Sequence, residues 1–301
     1  MRSKIIITLF MLTSWLQVAY SEEKVAEKPL SKSKLTWGLN KWEPMAIFNE
    51  PFKNQGINQI FINKLYSFLP EFVPEVIESP LIRTLIILKS ENLCSAGMIK
   101  NAEREAIAYY SQKPYLPLPP LKMYINSAGL KKLGLNPNTK IISLKQVLQS
   151  KKVKGIVKKS RSYNKLDPII KGSPDISIAP TARDGVEYDM VKNNRVDFFF
   201  EYGFVVEYLN KLQGINKPDK NTEVLTGFQL EESPNVDGYL VCSKNEWGKH
   251  VMDRINEVLP QMVRDPNWLN SFIKWLPEEE RVAYKDTYNK FLSENFPLVG
   301  K

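Results

Sequence analysis

Strand-like and helix-like segments alternate near the start of this chain, and their order leaves few folds open to it. Three short, largely apolar runs, at residues 34–40, 73–78 and 93–99, have the length and composition of strands. Two segments between them, at residues 56–72 and 81–90, carry apolar side chains at helical spacing. Strands that alternate with helices in this way form a parallel sheet with right-handed crossovers. The sequence therefore predicts an α/β fold whose ligands bind outside the carboxyl ends of the strands.

A second α/β unit follows the first, and the chain then returns. A predicted strand at 122–126 leaves the first unit. The strands predicted for the second unit are 155–158, 175–180 and 196–201, and its helices are 143–150, 181–194 and 202–212. Gly214 stands where a glycine often ends a helix. A strand at 237–244 and helices that begin at 246, 266 and 278 lead back. We predict two lobes joined by two chain crossings, with lobe 1 formed by 34–124 and 237–301 and lobe 2 by 125–236.

The amino terminus has the pattern of a secretory signal peptide. Two basic residues precede an apolar run over residues 5–18, and small residues offer a cleavage site near Ser21. A transmembrane anchor is the alternative, but the run is short for a bilayer and polar residues interrupt it. We predict a signal peptide over residues 1–21 and a charged, mobile lead-in over 22–33. The mature protein would then be exported to the periplasm and would not span a membrane.

Composition narrows the possible partners. The 301 residues are 43% hydrophobic, which is enough for a sizeable core. The formal net charge is +9, but the basic residues are scattered, so we expect an anionic ligand group and no nucleic acid. His250 is the only histidine, and a lone histidine cannot build a zinc site. We therefore expect neither a metal nor a cofactor.

The two cysteines, Cys94 and Cys242, lie in separate strand-like runs. In an oxidising compartment an even number of cysteines tends to be bridged. Two buried free thiols are the alternative, and the residues alone do not decide between them. Neither cysteine has the neighbouring histidine and acid that a catalytic nucleophile needs.

The stretch from Cys94 to Pro120 carries the most specific pattern. Small residues end a strand at Gly97, where a backbone can approach a ligand closely. A polar loop over residues 100–105 then presents Arg104. The residues that follow it in the pattern are Tyr110, Ser111 and Tyr115. This segment resembles the ligand-binding segment of bacterial extracellular solute-binding proteins of the polar-amino-acid type (family 3), and the order of elements is similar over essentially the whole chain after the signal peptide.

The resemblance implies a fold and a function. The fold would be the type II periplasmic-binding-protein clamshell, with two lobes that close about two hinge crossings around a small polar solute. The protein partner would be the permease of an ABC importer or a membrane sensor, and the receptor itself would be a monomer. The same topology would place the two cysteines on neighbouring strands, where a bridge is feasible.

The resemblance also implies which residues bind the solute. Arg104, with Asn101 nearby, would pair with a carboxylate through its planar fork of donors. The alternative is a surface arginine paired with Glu103 or Glu105. Glu201 would face the cleft from the end of its strand and receive an ammonium group, or else be an ordinary surface carboxylate.

Two further parts of the cleft are implied. Trp42 would supply an aromatic wall, or else belong to the core of lobe 1. Ser160, Ser162 and Tyr163 would hold an anion through hydroxyl groups and backbone N–H groups at a helix start, or form an ordinary serine cap, and one geometry serves both. The residues just before Arg104 and the segment 160–163 both depart from the Ser- and Thr-containing patterns that the family has at these places. That departure puts a standard free amino acid in doubt, and Arg161 could suit a second anionic group.

Two functions remain. The first is a non-catalytic receptor that closes around its solute. The second is an exported enzyme on the same fold, such as a dehydratase acting on a cyclic carboxylate. That chemistry needs an acid or a base beside the substrate, and Glu201, Lys100 or Glu103 could serve. No motif selects one of them, so the sequence favours the receptor.

Overall fold

The structure is a computed structural model and describes residues 33–158, 161–181, 185–216 and 224–298. Its strands are β1 Ser33–Leu39, β2 Phe72–Glu78, β3 Cys94–Met98, β4 Ala108–Tyr110, β5 Leu116–Leu118, β6 Lys122–Ile125, β7 Ile141–Ile142, β8 Gly155–Val157, β9 Ile176–Ile178, β10 Phe198–Glu201, β11 Thr226–Leu230 and β12 Val236–Ser243. Its α-helices are α1 Ile57–Leu65, α2 Leu81–Ser90, α3 Ala102–Glu105, α4 Ser127–Leu133, α5 Leu144–Gln149, α6 Asp167–Lys171, α7 Val186–Lys192, α8 Gly203–Asn216, α9 Glu246–Met262, α10 Pro266–Ile273 and α11 Arg281–Asn295. The predicted signal peptide, and the predicted lead-in except for its last residue, lie outside the described residues.

The first sheet contains the parallel unit that the sequence predicts. Its strand order is β2-β1-β3-β12-β4, and β5 pairs with the beginning of β12. β1 runs parallel to both of its neighbours, so that Trp37 lies opposite Val76 on one side and Cys94 on the other. The helices α1 and α2 provide the crossover connections between these strands. The α/β prediction is therefore confirmed for this part of the chain.

The second sheet has the strand order β7-β11-β6-β10-β8-β9. β10, β8 and β9 are parallel neighbours, whereas β6 runs antiparallel to β10 and β11. The chain enters this sheet between β5 and β6 and leaves it between β11 and β12, which makes two crossings. The boundary predicted at residues 124–125 falls inside β6, whose residues all pair within the second sheet.

A disulfide bond ties together the two distant parts of the first sheet. β3 and β12 are antiparallel neighbours, and Cys94 lies directly opposite Cys242. Their sulfur atoms are bonded, and their Cα atoms are 4.0 Å apart. The structure therefore has the bridged form of the two alternatives. The bridge joins residues 148 positions apart, so the whole of the second sheet lies within the loop that it closes.

Asparagine side chains cap the helices α4 and α9 at their first residues. Asn126 accepts a hydrogen bond from the backbone N–H of Gly129 at 2.8 Å and so caps α4. Asn245 accepts from Gly248 N–H at 2.8 Å in the same way and caps α9. The buried apolar side chains of α9 recur at helical spacing on the side that packs against the first sheet, and they are Val251, Met252, Ile255, Leu259 and Met262.

The described residues form one compact unit, and the largest group of buried side chains includes residues of both sheets. Phe52, in the loop between β1 and α1, lies with its ring centre 6.0 Å from that of Tyr208 in α8 and 5.3 Å from that of Trp275. Phe272 of α10 lies 5.3 Å from Phe204 of α8. The segment from α10 to Trp275 therefore packs against the loop that follows β1 of the first sheet and against helix α8, which follows β10 of the second sheet.

Several elements differ from the predictions. α1 ends at Leu65, and the next residues form turns rather than a continuation to 72. The predicted loop 100–105 contains the single-turn helix α3, because Asn101 caps it. α8 continues through Gly214 to Asn216, since that glycine does not adopt the left-handed conformation that ends a helix. The sequence did not predict α4 or the short strands β4, β5, β7 and β11.

Candidate functional site

Two residues of interest follow parallel strands of the first sheet. Trp42 comes after β1, and Arg104 comes after β3. Because these strands are parallel neighbours, their carboxyl ends lie at the same edge of the sheet. Asn101 helps to place the arginine, since its side-chain oxygen accepts a hydrogen bond from the Arg104 backbone N–H at 2.9 Å.

The guanidinium of Arg104 uses few of its N–H donors within the described part of the protein. One N–H of its half-buried guanidinium donates to the carbonyl oxygen of Ile99 at 3.0 Å. Glu105, one of the partners considered for it, instead lies 3.1 Å from the ammonium group of Lys100. Within the described ranges no carboxylate lies at ion-pairing distance from Arg104. A guanidinium with five donors and one protein acceptor is suited to bind an anion.

The second sheet brings Arg161 and Glu201 together. Arg161 follows β8, and Glu201 is the last residue of β10, which is the parallel neighbour of β8. Their side chains form a forked ion pair, in which Nη2 donates to Oε1 at 2.7 Å and Nη1 donates to Oε2. The Glu201 Oε1 atom also accepts the backbone N–H of Tyr202 at 2.9 Å. The carboxylate of this buried residue therefore accepts three hydrogen bonds from the protein itself.

Aromatic rings surround the guanidinium of Arg161. Its central carbon lies 5.0 Å from the ring centre of Tyr163 and 5.9 Å from that of Tyr202, which are cation–π distances. Burial disfavours the charged guanidinium, but the Glu201 charge more than offsets this and holds the pKa of Arg161 above its ordinary value. Burial also raises the pKa of Tyr163 and of Tyr202 to about 12. At neutral pH the arginine is therefore charged and both tyrosines are neutral.

Trp42 connects the two sheet edges. Its ring centre lies 5.6 Å from that of Tyr202 and 5.8 Å from that of Phe204, and these two rings stack on each other at 5.2 Å. Trp42 follows a strand of the first sheet, whereas Tyr202 and Phe204 follow a strand of the second. The carboxyl edges of the two sheets therefore face each other across this aromatic contact.

The helix that follows β9 contributes a buried acidic residue that we did not predict. Glu187 lies in the first turn of α7, the helix after β9, and β9 is the parallel neighbour of β8. Its side chain is buried, and its Oε1 atom has no hydrogen-bond partner. Burial raises the pKa of this carboxyl group, and the nearby Glu201 charge adds to the rise, while the Lys158 and Arg161 charges oppose it. The sequence signal was an acidic residue between Val186 and Tyr188 on the buried face of a helix.

The remaining predicted residues have local roles in the structure. The exposed Ser162 hydroxyl donates to a side-chain oxygen of Asp167 at 2.6 Å and accepts the backbone N–H of Asn164 at 3.2 Å, and the short 3-10 turn that begins at Asn164 has no side-chain cap. The Tyr163 hydroxyl accepts the backbone N–H of Lys158 at 2.8 Å. Ser160 lies outside the described residues.

Two negative findings concern the described residues alone. None of their helices combines the length and the apolar character needed to cross a membrane. In the same part of the chain, no three His, Cys, Asp or Glu side chains are grouped so that they could hold a metal ion.

The chain has the two-lobed α/β fold of the solute-binding proteins of amino-acid ABC importers. A "probable amino-acid ABC transporter extracellular-binding protein" from Bacillus subtilis matches it with a TM-score of 0.62 at 18% identity, over 82% of this chain and 99% of that one. A Salmonella typhimurium periplasmic binding protein with high arginine specificity has a TM-score of 0.56 at 14% identity, over 81% of this chain and 100% of that one.

A third similar structure bears on the enzyme alternative. It is an ancestral amino-acid-binding protein described as a precursor of cyclohexadienyl dehydratase, with a TM-score of 0.56 at 14% identity, over 81% of this chain and 96% of that one. No protein-family model and no curated protein matches the sequence. At these identities the likeness concerns the fold, and at that level the resemblance predicted from the sequence is confirmed.

Proposed function

We propose that this protein is an exported, non-catalytic receptor that captures a small polar solute bearing a carboxylate group. The solute would bind between the lobes and pass to the permease of an ABC importer, or its capture would be reported to a membrane sensor. The fold and the importer proteins that share it support this proposal. The observation that carries it is Arg104, at the sheet edge that faces the second sheet, whose guanidinium has no carboxylate partner among the residues that the structure describes.

The position of Arg104 suits carboxylate binding for two reasons. It follows a parallel strand at the carboxyl edge of its sheet, which is where open α/β sheets bind ligands. It is also half-buried, so a carboxylate bound there would be partly removed from water and would gain more from a charge-assisted, two-point hydrogen bond. Trp42 at the same edge would cover an apolar or cationic part of the solute.

The lobes of this proposal are the two sheets with their helices. The connections between β5 and β6 and between β11 and β12 would act as hinges, because they are the two places where the chain passes between the sheets. Closure about short connections of this kind around a ligand is a common movement of two-domain binding proteins.

The proposal can be tested by thermal shift with the mature protein. The twenty standard amino acids, small peptides and simple carboxylates would be screened, because a solute that binds only the folded state raises the melting temperature by mass action. For each hit, Arg104→Ala should weaken binding by about thirtyfold or more, and Arg104→Lys should recover only part of that loss because lysine lacks the planar fork. The matched control is Arg83→Ala, which removes an exposed arginine of α2 and should leave affinity unchanged.

Two results would contradict the receptor proposal. One is that no compound of the panel stabilises the protein. The other is a hit whose affinity survives Arg104→Ala undiminished, which would place the solute elsewhere.

The second candidate, an exported dehydratase-like enzyme, is favoured by the fold it shares with the ancestral precursor of cyclohexadienyl dehydratase. Two of the residues considered as its acid or base are occupied in the structure, since Glu201 pairs with Arg161 and Lys100 pairs with Glu105. Incubating the purified protein with each hit and following product by mass spectrometry separates the two functions. Turnover would support the enzyme, and recovery of intact solute would support the receptor.

A further inference from the structure

The amino ends of three parallel strands bring together basic side chains that are scattered in the sequence. β8, β9 and β10 are parallel neighbours whose first residues, Gly155, Ile176 and Phe198, lie opposite one another. The segments that lead into these strands therefore lie at one edge of the second sheet, opposite the edge that carries Glu201. Four exposed basic residues of these segments have no carboxylate at ion-pairing distance among the described residues, and they are Lys151, Lys152, Lys171 and Arg195.

Two carboxylates at the same edge, those of Asp175 and Asp197, are already paired. Asp197 lies 2.6 Å from the ammonium group of Lys132 through one oxygen and accepts the backbone N–H of Lys154 at 2.8 Å through the other. Asp175 lies 2.5 Å from the ammonium group of Lys154. Lys132 belongs to the last turn of α4, so Lys131, its exposed neighbour in that turn, also lies near this edge. The edge therefore carries a surplus of positive charge. The surface that we name the basic edge consists of Lys131, Lys151, Lys152, Lys171 and Arg195.

Lys151 has a backbone conformation that favours glycine. Its φ is 53°, directly after Ser150, the residue that ends α5. A side chain in this left-handed region costs free energy, and glycine is the usual residue at this position after a helix. Within the part of the chain that the structure describes, Lys151 makes no ion pair that would offset the cost. Its ammonium group is thus presented to the exterior.

Strand β11 brings an exposed apolar side chain to the same edge. Thr226 of β11 and Phe198 of β10 both lie opposite Ile125 of β6. Val224, two residues before Thr226, is 80% exposed. An apolar side chain beside unpaired cations is suited to an interface in which anionic groups border an apolar layer.

We propose that the basic edge binds the surface of a lipid bilayer that contains anionic headgroups, with the lipid phosphates as partners of the five cations. This inference goes beyond the receptor function, because it concerns where the protein is held and not which solute it captures. Each lysine or arginine close to an anionic bilayer gains from its negative surface potential, and several on one edge act together. One exposed valine adds little apolar anchoring, so the binding is reversible and sensitive to salt.

This arrangement is compatible with capture of a solute. The basic edge lies at the amino ends of β8, β9 and β10, whereas the proposed cleft lies at their carboxyl ends. The cleft of a bound molecule therefore faces away from the bilayer and stays open to solvent. Retention at the surface also raises the local concentration of the receptor near a membrane partner.

The test is co-sedimentation of the mature protein with lipid vesicles. One set of vesicles contains phosphatidylcholine with about 30% phosphatidylglycerol, and the other contains phosphatidylcholine alone. At about 50 mM salt we expect binding to the anionic vesicles and not to the neutral ones. At about 500 mM salt the binding should be lost, because the screening length falls to about 4 Å.

Charge-reversal variants then assign the contact to the basic edge. Lys151→Glu/Lys152→Glu and Lys171→Glu/Arg195→Glu should each weaken binding to the anionic vesicles by about tenfold or more, since each cation near the surface is worth about fivefold. Lys151→Arg/Lys152→Arg keeps both charges and should retain binding. All four residues are exposed, and circular dichroism would verify that each variant is folded.

The matched control is Arg83→Glu/Lys89→Glu, at two exposed positions of α2 beside the first sheet. It changes the net charge by the same amount and should leave the affinity for anionic vesicles within about threefold of the parent. A second control replaces the vesicles with soluble polyphosphate at the same phosphate concentration, which offers the charge without the bilayer.

Four results would overturn the proposal. They are no binding to anionic vesicles at low salt, equal binding to neutral vesicles, binding that survives both charge reversals at the basic edge, and loss of binding in the α2 control, which would place the contact there. If polyphosphate binds as tightly as the anionic vesicles and through the same residues, the edge is a site for soluble polyanions, and the assignment to a bilayer is wrong.

Discussion

Opening the disulfide bond should destabilise the protein by about 5 kcal/mol. The bridge between Cys94 and Cys242 closes a loop of 148 residues that contains the whole second sheet. In the chain-entropy description, a cross-link over a loop of this length lowers the entropy of the unfolded chain by about 17 cal/mol/K, which is about 5 kcal/mol at 25 °C. The stabilisation is large because the first sheet needs β12 to return from far along the chain and pair with β3.

The assay is urea unfolding followed by tryptophan fluorescence, with and without a reductant, after a thiol titration has verified that both cysteines are free. Reduction should lower the free energy of unfolding by about 5 kcal/mol, and a Cys94→Ala/Cys242→Ala variant should show a similar loss. Reductant should have no further effect on that variant, which controls for non-specific action. If the fully reduced protein unfolds at the same urea concentration as the oxidised one, the chain-entropy reasoning is wrong here.

Three further predictions concern single positions. A Cβ atom on Gly248 would lie 1.8 Å from the backbone carbonyl oxygen of Ser243, so Gly248→Ala should lower the free energy of unfolding by about 2 kcal/mol or more. Gly214 lies in open space within α8, so Gly214→Ala should raise the free energy of unfolding by about 0.5–1 kcal/mol. Equal unfolding midpoints for the two variants would contradict this reasoning. The pKa of Glu187 is raised in the folded state, so its ionisation costs stability as pH rises through that value. Glu187→Gln should therefore be more stable than the parent at neutral pH, the difference should vanish in acid, and a difference independent of pH would refute the reasoning. Burial raises the pKa of Tyr163 and Tyr202 from 10.0 to about 12, so both contribute to a fall in the free energy of unfolding as pH rises from about 10 to about 12. Phe variants at both positions, followed by ultraviolet titration, should reduce this slope without abolishing it, because burial also raises the pKa of other tyrosines such as Tyr110 and Tyr208; an unchanged slope would contradict the reasoning.

The strands that position Arg104 could be predicted because they follow each other closely in the sequence. The apolar spacing of residues 34–99 specified strand, helix, strand, helix and strand, and the structure has these elements within a few residues of the predicted limits, apart from the early end of α1. Consecutive strands of such a unit lie side by side in a parallel sheet, so the edge to which Trp42 and Arg104 belong follows from chain order.

The contact between Arg161 and Glu201 could not be predicted in that way. In the second sheet β10 lies beside β8 although β9 comes between them in the sequence, and this skip brings the two residues to adjacent strand ends. Nothing in the spacing of residues 155–201 determines which strand is central. Glu187 was missed for a related reason, since its burial depends on helix α7 packing over a sheet whose strand order was not known.

Short elements were missed because they carry little periodic signal. β4, β5 and β7 contain three, three and two residues, which is too few for an alternation to be seen. They are strands because β12 and β11 supply the backbone groups that pair with them. Gly214 illustrates the converse, a local signal for a helix end that the rest of α8 overrides, whereas Gly134 does adopt the left-handed conformation at the end of α4.

The distribution of charge also bears on how a solute could close the two lobes. A ligand shifts a conformational equilibrium only by as much as its interaction differs between the two states. A solute that engaged Arg104 alone would gain the same contact whether the sheet edges met or not, and would therefore favour neither arrangement. A molecule whose carboxylate binds Arg104 and that also packs on the ring of Tyr202 gains its second contact only when the edges face each other. Trp42 and Tyr202 mark where such a second contact would form, because their rings meet at a strand end of the first sheet and a strand end of the second.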